Sequence, residues 1–297
     1  MANDRVVFDI WGCRGSRSFL PARSRVGNNT SCYSILYRDK LLVMDAGWGL
    51  SALGHAMTTR QALRGVKDVF LLVSHAHCDH WEGLKDVGWF WDKDNGLNVH
   101  ICGPSQALEA IRAGFEHPSY VPLEVLAIGT VDSLAWHPLG AREKHDFGGW
   151  QVETFALNHA SGAGATRRPL DTLGFRVSGP ADGPTVCYML DHEPMPNTRA
   201  LEDEMMLGAN LAVWDAHFGL RREQRFGHGS QEHAADVAGR FPETLVLAGH
   251  HGPMFNDVQL KRSFRAHRRD LENFRLAVEG DAYTWSRRAR RFASESR

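Results

Sequence analysis

Ten short apolar runs, rich in β-branched and aromatic residues, punctuate the chain: VVFDIW at 6–11, YSILY at 33–37, LLVMD at 41–45, VFLLVS at 69–74, LNVHIC at 97–102, WQVETFAL at 150–157, TLGFRVS at 172–178, TVCYML at 185–190, LAVWD at 211–215 and TLVLAG at 244–249. Their length, and boundaries in Gly, Pro, Asn and Asp, predict strands rather than helices. Between them the pattern predicts helices at about 51–60, 104–114, 230–240 and 257–278. In the last, Leu260, Phe264, Leu271 and Phe274 recur at helical spacing among Arg, His and Asp. Ser230 is placed to cap the 230–240 helix, whose first turn carries Glu232. Many strands with helices inserted early and late imply an α/β fold of two stacked sheets between outer helices. The segments 115–150 and 159–172 are the least regular and read as loops framing a cleft.

Composition narrows the class without changing this outline. At 297 residues and 43% hydrophobic content the chain can build one large core, so a single domain over 1–297 is expected, with 279–297 as a peripheral tail. The start MANDRVVFDIW does not resemble a secretory leader, and no segment approaches the roughly 20 apolar residues of a membrane span, so a cytoplasmic protein without a membrane partner is expected. Cys13, Cys32, Cys78, Cys102 and Cys187 show no CxxC spacing, which argues against a disulfide scaffold or a zinc knuckle; only Cys78 falls within a histidine cluster. A formal net charge of -1 supplies no broad field for nucleic acid. The stretches KRSFRAHRRD and RRARRFASESR are nevertheless basic, and read as a solvated helix face and frayed tail or as an edge for an anionic partner.

The strongest local signal is LLVSHAHCDHWEG, in which a strand ending at Ser74 delivers His75 and His77 on one side and the chain then turns through Asp79 and His80. Three imidazoles and a carboxylate within six residues can serve two metal ions, His75 and His77 on one, Asp79 and His80 on the other. An apolar strand end supplies the rigidity that metal ligands need.

HAHCDH resembles the HxHxDH signature of the metallo-β-lactamase fold, and further segments follow in that family's order over almost the whole chain. GNNTSCYSILYRDKLLVMDAGWG is similar to its early segment, LNHASG to the third ligand segment, YMLDHE to the segment with the bridging aspartate and LVLAGHHGP to the final ligand segment. The likeness is to the phosphodiesterase-like branch, including transfer-RNA 3′-processing nucleases and cyclic-phosphate hydrolases. A carboxylate at Asp191, where the antibiotic-hydrolysing branch has a cysteine, separates the two. The resemblance implies a four-layer αββα sandwich, one metal held by His75, His77 and His159, a second by Asp79, His80 and His250, and Asp191 bridging them. It implies two divalent ions, zinc first, with manganese or iron as alternatives. It assigns catalysis to the centre that includes Asp79 and to His228, which would contact phosphate beside a helix N-terminus.

Other residues are placed around this centre. Asp45 and Asp215 each close an apolar strand and could orient ligand histidines through the second ring nitrogen. His251, adjacent to His250, must point elsewhere and could line the pocket; His192 could stand behind the ligands, and His233 reads as structural. Asn28, Asn29 and Thr30 could shape a wall, and Arg167 and Arg168 could meet substrate charge. Three features depart from the close relatives: Gly252 precedes Pro253 where an acidic residue often stands, no long basic insertion separates His159 from Asp191, and no cysteine-rich extra site is present.

The expected activity is a metal-dependent phosphoric diester hydrolase in which hydroxide attacks a small phosphodiester or cyclic phosphate. The alternatives are hydrolysis of an ester, lactone or thioester on the same scaffold, a diiron redox or metal-dependent sensor protein, and an RNA-processing nuclease. RNA is the less favoured partner, and a homodimer is an allowed assembly.

Overall fold

The structure is a computed structural model that describes residues 5–19, 24–90, 96–122, 125–126, 131–162, 164–180, 182–219, 226–268 and 271–295. Parts of the expected 115–150 and 159–172 loops, of the 257–278 helix and of the 279–297 tail fall on 123–124, 127–130, 163, 269–270 and 296–297, outside the described residues.

Among the described residues the strands are β1 (Val6–Gly12), β2 (Cys32–Tyr37), β3 (Lys40–Met44), β4 (Asp68–Leu72), β5 (Leu97–Gly103), β6 (Val131–Pro138), β7 (Lys144–Phe147), β8 (Trp150–Ala156), β9 (Ala160–Ser161), β10 (Arg168–Pro169), β11 (Leu173–Ser178), β12 (Thr185–Met189), β13 (Leu211–Asp215), β14 (Leu245–Gly249), β15 (Phe274–Leu276), β16 (Ala282–Ser286) and β17 (Arg291–Ser294). Helices among the described residues include α1 (Gly49–Thr59), α2 (Ser105–Gly114), α3 (Arg199–Met206), α4 (Gln231–Arg240) and α5 (Asp257–Arg268). One sheet has the order β17-β16-β1-β2-β3-β4-β5-β6, the other β15-β14-β13-β12-β11-β8-β7, and β9 with β10 forms a small ribbon. In each sheet one half is antiparallel and the other parallel: β3 through β6 in the first, β12 through β15 in the second.

Period-two alternation explains the layering. Along β3, Leu42 and Met44 face the other sheet while Leu41 and Val43 face α1 and α2; along β12, Val186 and Tyr188 face inward while Cys187 and Met189 face α3 and α4. Both faces are therefore buried, which is why these strands read as continuous apolar runs. Three apolar clusters result: one between the sheets, one under α1 and α2, and one under α3, α4 and α5. This is a four-layer αββα sandwich.

The structure differs from the sequence expectation at four places. The 115–150 segment contains β6 and β7, one at the end of each sheet, where pairing to β5 and β8 supplies the order that weak local propensity does not. α5 ends at Arg268 rather than 278, because Phe274 and Leu276 turn inward with period two as β15 beside β14. α3 was not expected. The 279–297 tail supplies β16 and β17 at the first sheet's edge, with Tyr283, Trp285 and Phe292 buried. Ser230 caps α4 as expected, its side chain accepting from the His233 N–H.

Trp150 is wholly buried between the sheets, its ring edge-on to Tyr37 with centroids 6.2 Å apart. Trp150→Ala is expected to destabilise the fold by about 3–5 kcal/mol in urea unfolding; a loss below about 1 kcal/mol would contradict the inter-sheet core.

Candidate metal centre

The parallel strands of both sheets end on one side of the sandwich, the position where open α/β sheets hold ligands. There the first sheet contributes Asp45 after β3 and the run from Ser74 to His80 after β4. The second contributes Asp191 after β12, Asp215 at the end of β13 and His250 after β14. Asp45, Asp191 and His250 take left-handed backbone conformations, with φ of 56°, 55° and 54°. Asp and His tolerate this region better than most residues, yet each still costs on the order of 1–3 kcal/mol, held by the packed strands behind. The turn lifts each side chain off its strand and into the space between the sheets.

His75, His77, His159 and Asp191 each place a ligand atom within 4.8 Å of the others, as do Asp79, His80 and His250. Asp191 stands between the groups. Its Oδ1 lies 3.4 Å from His159 Nε2 and 3.7 Å from His75 Nε2, whereas Oδ2 lies 3.0 Å from His80 Nε2 and 3.3 Å from His250 Nε2. Asp79 Oδ2 lies 3.4 Å from His80 Nε2 and 3.6 Å from His250 Nε2.

The opposite ring edges are anchored, and the anchors select the tautomers. Asp45, itself buried, accepts from the Ser74 N–H at 2.7 Å, the Ser74 hydroxyl at 2.9 Å, the Tyr188 hydroxyl at 2.6 Å and His80 Nδ1 at 2.6 Å. With its proton given to Asp45, the Ser74 hydroxyl accepts from His75 Nδ1 at 2.9 Å. His159 Nδ1 donates to the Gly227 carbonyl at 2.8 Å, and His77 Nε2 meets the Ser161 hydroxyl at 2.7 Å. The networks leave Nε2 of His75 and His80 facing inward without a partner, while the inward nitrogens of His159 and His77, Nε2 and Nδ1, lie 3.2 Å from each other. Two glycines make this packing possible: a Cβ at Gly227, where φ is +80°, would lie 2.6 Å from His159 Nδ1, and one at Gly15 would lie 2.4 Å from His250 Nε2.

This donor set fits a pair of cations. His75 Nε2, His80 Nε2, His250 Nε2 and Asp191 Oδ2 are buried without a hydrogen-bond partner, a costly state for polar atoms unless something else coordinates them. The electrostatics agree. Burial disfavours a charged His80, but Asp191, Asp45 and Asp79 outweigh it and push its pKa well above the usual histidine value. His250 is pushed up to about 10 against burial by Asp191, Asp215 and Asp79. Burial drives His159 down to about 4 and His75 well below the usual value. Asp191 is held well below the carboxylate range despite burial, by His250, His80, His75 and His159. The cluster of carboxylates thus demands positive charge that protons or cations can meet.

Of the surrounding residues, His228 faces the same space. Its Nδ1 donates to Asp215 Oδ2 at 2.9 Å, and its ring stacks on His217 with centroids 4.3 Å apart and planes at 14°. A cavity of about 350 Å³ opens over the centre, lined by Asp79, Asp191 and His228 together with Ser16, Ser161 and Phe226. His251 does not line it, because Nε2 donates to the Ala277 carbonyl at 3.0 Å. His192 bridges Asn158 and Glu202 behind the centre, while its backbone N–H reaches Asp215 at 3.2 Å. Asn28 and Asn29 are bound to Glu279, and Thr30 accepts from the Trp48 N–H, so this wall acts at a distance. Arg167 is paired with Glu193 at 2.8 Å, and Arg168 is exposed, its guanidinium donating to the Ala165 and Arg167 carbonyls.

Sequence reasoning missed Ser74, Tyr188, Ser161, His217, Ser16 and Phe226. Ser74 adjoins the histidine motif, so a hydroxyl beside a ligand was a usable signal. Tyr188 looked like any core aromatic, and Ser16, whose N–H donates to Asp79 Oδ2 at 2.7 Å, comes from 63 residues away.

Residues 41–251 match the family model described as a beta-lactamase superfamily domain. No curated protein matches the chain by sequence. Among solved structures the chain is similar to the metallo-beta-lactamase fold protein YhfI from Bacillus subtilis, at 15% identity and a TM-score of 0.66 over 95% of this chain and 100% of that one. It is similar to yeast PDE1 at 15% identity and a TM-score of 0.66, covering 95% and 99%. It is also similar to the short form of human tRNase Z at 16% identity and a TM-score of 0.61, covering 93% and 98%. At these identities the likeness shows the fold.

Asp45→Ala strands the donors of Ser74, Tyr188 and His80 in the core, and is expected to cost about 3–5 kcal/mol in chemical denaturation. A loss below about 1 kcal/mol would mean that this network does not hold the ligand loop.

Proposed function

The chain belongs to the β-lactamase superfamily, and from that premise we propose that it is a dinuclear metal-dependent hydrolase acting on a small phosphodiester or cyclic phosphate. His75, His77 and His159 would hold one cation, Asp79, His80 and His250 the other, and Asp191 both. The division of Asp191 between two separate donor groups carries the reading, since a carboxylate with each oxygen facing its own set of ligand atoms suits a bridge. When bound, such a pair supplies Lewis acidity and a water of lowered pKa.

The chain's own residues do the rest. Asp45, Ser74, Gly227 and Ser161 fix the ring planes, so little reorganisation is needed on binding. Asp215 holds His228 by Nδ1 at the cavity wall, from where the imidazole can bind a phosphoryl oxygen or give a proton to the leaving oxygen. Zinc suits the imidazole-rich set, with manganese or iron as alternatives. Five free thiols, four of them buried, support a reducing compartment such as the cytoplasm, and among the described residues no helix is long and apolar enough to cross a membrane.

One observation favours a second reading. Among the described residues the cavity is lined by no Lys or Arg, and it exposes the ring of Phe226, which suits a neutral ester, lactone or thioester.

Protein purified without chelator is expected to carry about two equivalents of metal and to turn over bis(p-nitrophenyl) phosphate, with both properties lost in Asp191→Ala. Metal without diester turnover, but with cleavage of p-nitrophenyl acetate or a lactone, would move the assignment to the second reading. Failure to bind metal even after reconstitution would overturn both. His228→Ala is expected to keep its metal while kcat falls about 10²–10⁴-fold; a change within about twofold would remove His228 from the chemistry.

A further inference from the structure

A second cavity, of about 1210 Å³, lies not at the metal centre but at the opposite ends of the strands. Asn210 before β13, Leu245 at the start of β14 and Asn273 before β15 form its floor, whereas Asp215 and His250 lie where β13 and β14 finish. Five-residue strands put about 15 Å between the two places. Its walls come from both halves of the molecule. Arg268 closes α5 and Arg275 lies on β15, while Arg290 and Arg291 belong to the β16–β17 hairpin of the other sheet.

None of these four guanidinium groups has an ion-pair partner among the described residues. Arg275 donates only to the Phe274 carbonyl at 2.8 Å, and Arg268 lies over the Phe264 ring at 6.0 Å. Glu243 and Glu272 also line the groove, and neither pairs with an arginine there. Residues 261–297 hold eleven Lys and Arg against five Asp and Glu, so the near-neutral total of -1 hides a positive end. Arg142, Arg199 and Arg240, by contrast, each have a carboxylate partner, Glu204 for the first and Asp236 for the other two.

We propose that this groove binds the phosphodiester backbone of a single-stranded polynucleotide, independently of the metal centre's chemistry. Planar, permanently charged guanidinium groups match phosphate oxygens, and their placement on two facing walls suits a linear chain laid between them. The groove is larger than a typical small-ligand site of roughly 300–1,000 Å³. A membrane surface fits less well. The groove is concave, and the exposed large hydrophobics Val121, Val125, Leu207, Phe226, Met254 and Val258 all lie outside it. Its aromatic residue, Phe292, is buried, so base stacking is not offered and binding is indifferent to sequence.

The test is fluorescence anisotropy of the full chain with labelled 15-nucleotide uridine and thymidine strands between 50 and 200 mM salt, their integrity checked on a gel. Four phosphate contacts predict a slope of log K against log salt of about −3 on both strands. The combined variant Arg268→Gln, Arg290→Gln, Arg291→Gln is expected to flatten it to below about −1 and weaken binding at least tenfold, with unchanged circular dichroism. Arg262→Gln with Arg265→Gln, on α5 but outside the groove, should leave both values unchanged. Binding to uridine alone would identify RNA as the source of the backbone, and equal binding would leave the class as any single strand. No binding at 50 mM salt, an unaltered slope in the triple variant, tighter binding of tripolyphosphate than of either strand, or capture only by phosphatidylserine vesicles would each overturn the proposal.

Discussion

Asp191 is buried at the meeting point of two sets of imidazole nitrogens, with one oxygen turned to each. A carboxylate so placed is tolerable only if positive charge surrounds it, and the surrounding charge is tolerable only because of the carboxylates. Asp45, Asp79 and Asp215 complete this mutual dependence from three other segments. Neither sheet alone could sustain it, since His75, His80 and Asp79 come from the first and Asp191, Asp215 and His250 from the second. The stacking of the sheets is thus both the source of the hydrophobic core and the condition for the centre.

Placement at the C-terminal ends of parallel strands gives the centre its precision. Asp45, His75, Asp191, Asp215 and His250 stand at or just after strands whose two faces are both packed, so their backbone has little freedom. The left-handed turns at Asp45, Asp191 and His250 are strain that only such packing retains. Behind them, Ser74 and Tyr188 hydrogen-bond Asp45 and thereby link the ligand loop of one sheet to the core of the other.

The other end of the same strands has a different electrostatic character. There Arg268, Arg275, Arg290 and Arg291 line one groove, with no carboxylate partner among the described residues. Segregating negative charge with the histidines at one end and positive charge at the other leaves the total near zero, so net charge conceals what each end can bind.

The sequence by itself determined the strand runs and the layered α/β class, and it singled out residues that the structure brings together in one cluster. Strand runs are legible because burial on both faces leaves continuous apolar stretches. The clustered residues were legible because HAHCDH is local, and because Asp191 and His250 each follow such a run. Tertiary structure alone decided what depends on distant segments meeting: the anchoring of His75 by Ser74 and of His80 by Asp45, the stacking of His217 on His228, and the turning of His251 and Arg167 toward Ala277 and Glu193 instead of the cavity. It also decided β6, interrupted by polar residues, β15, only three residues long, and the place of the terminal hairpin beside β1. A residue's type fixes what it can donate or accept; which partner it finds is set by chain segments too far apart in sequence for spacing to reveal.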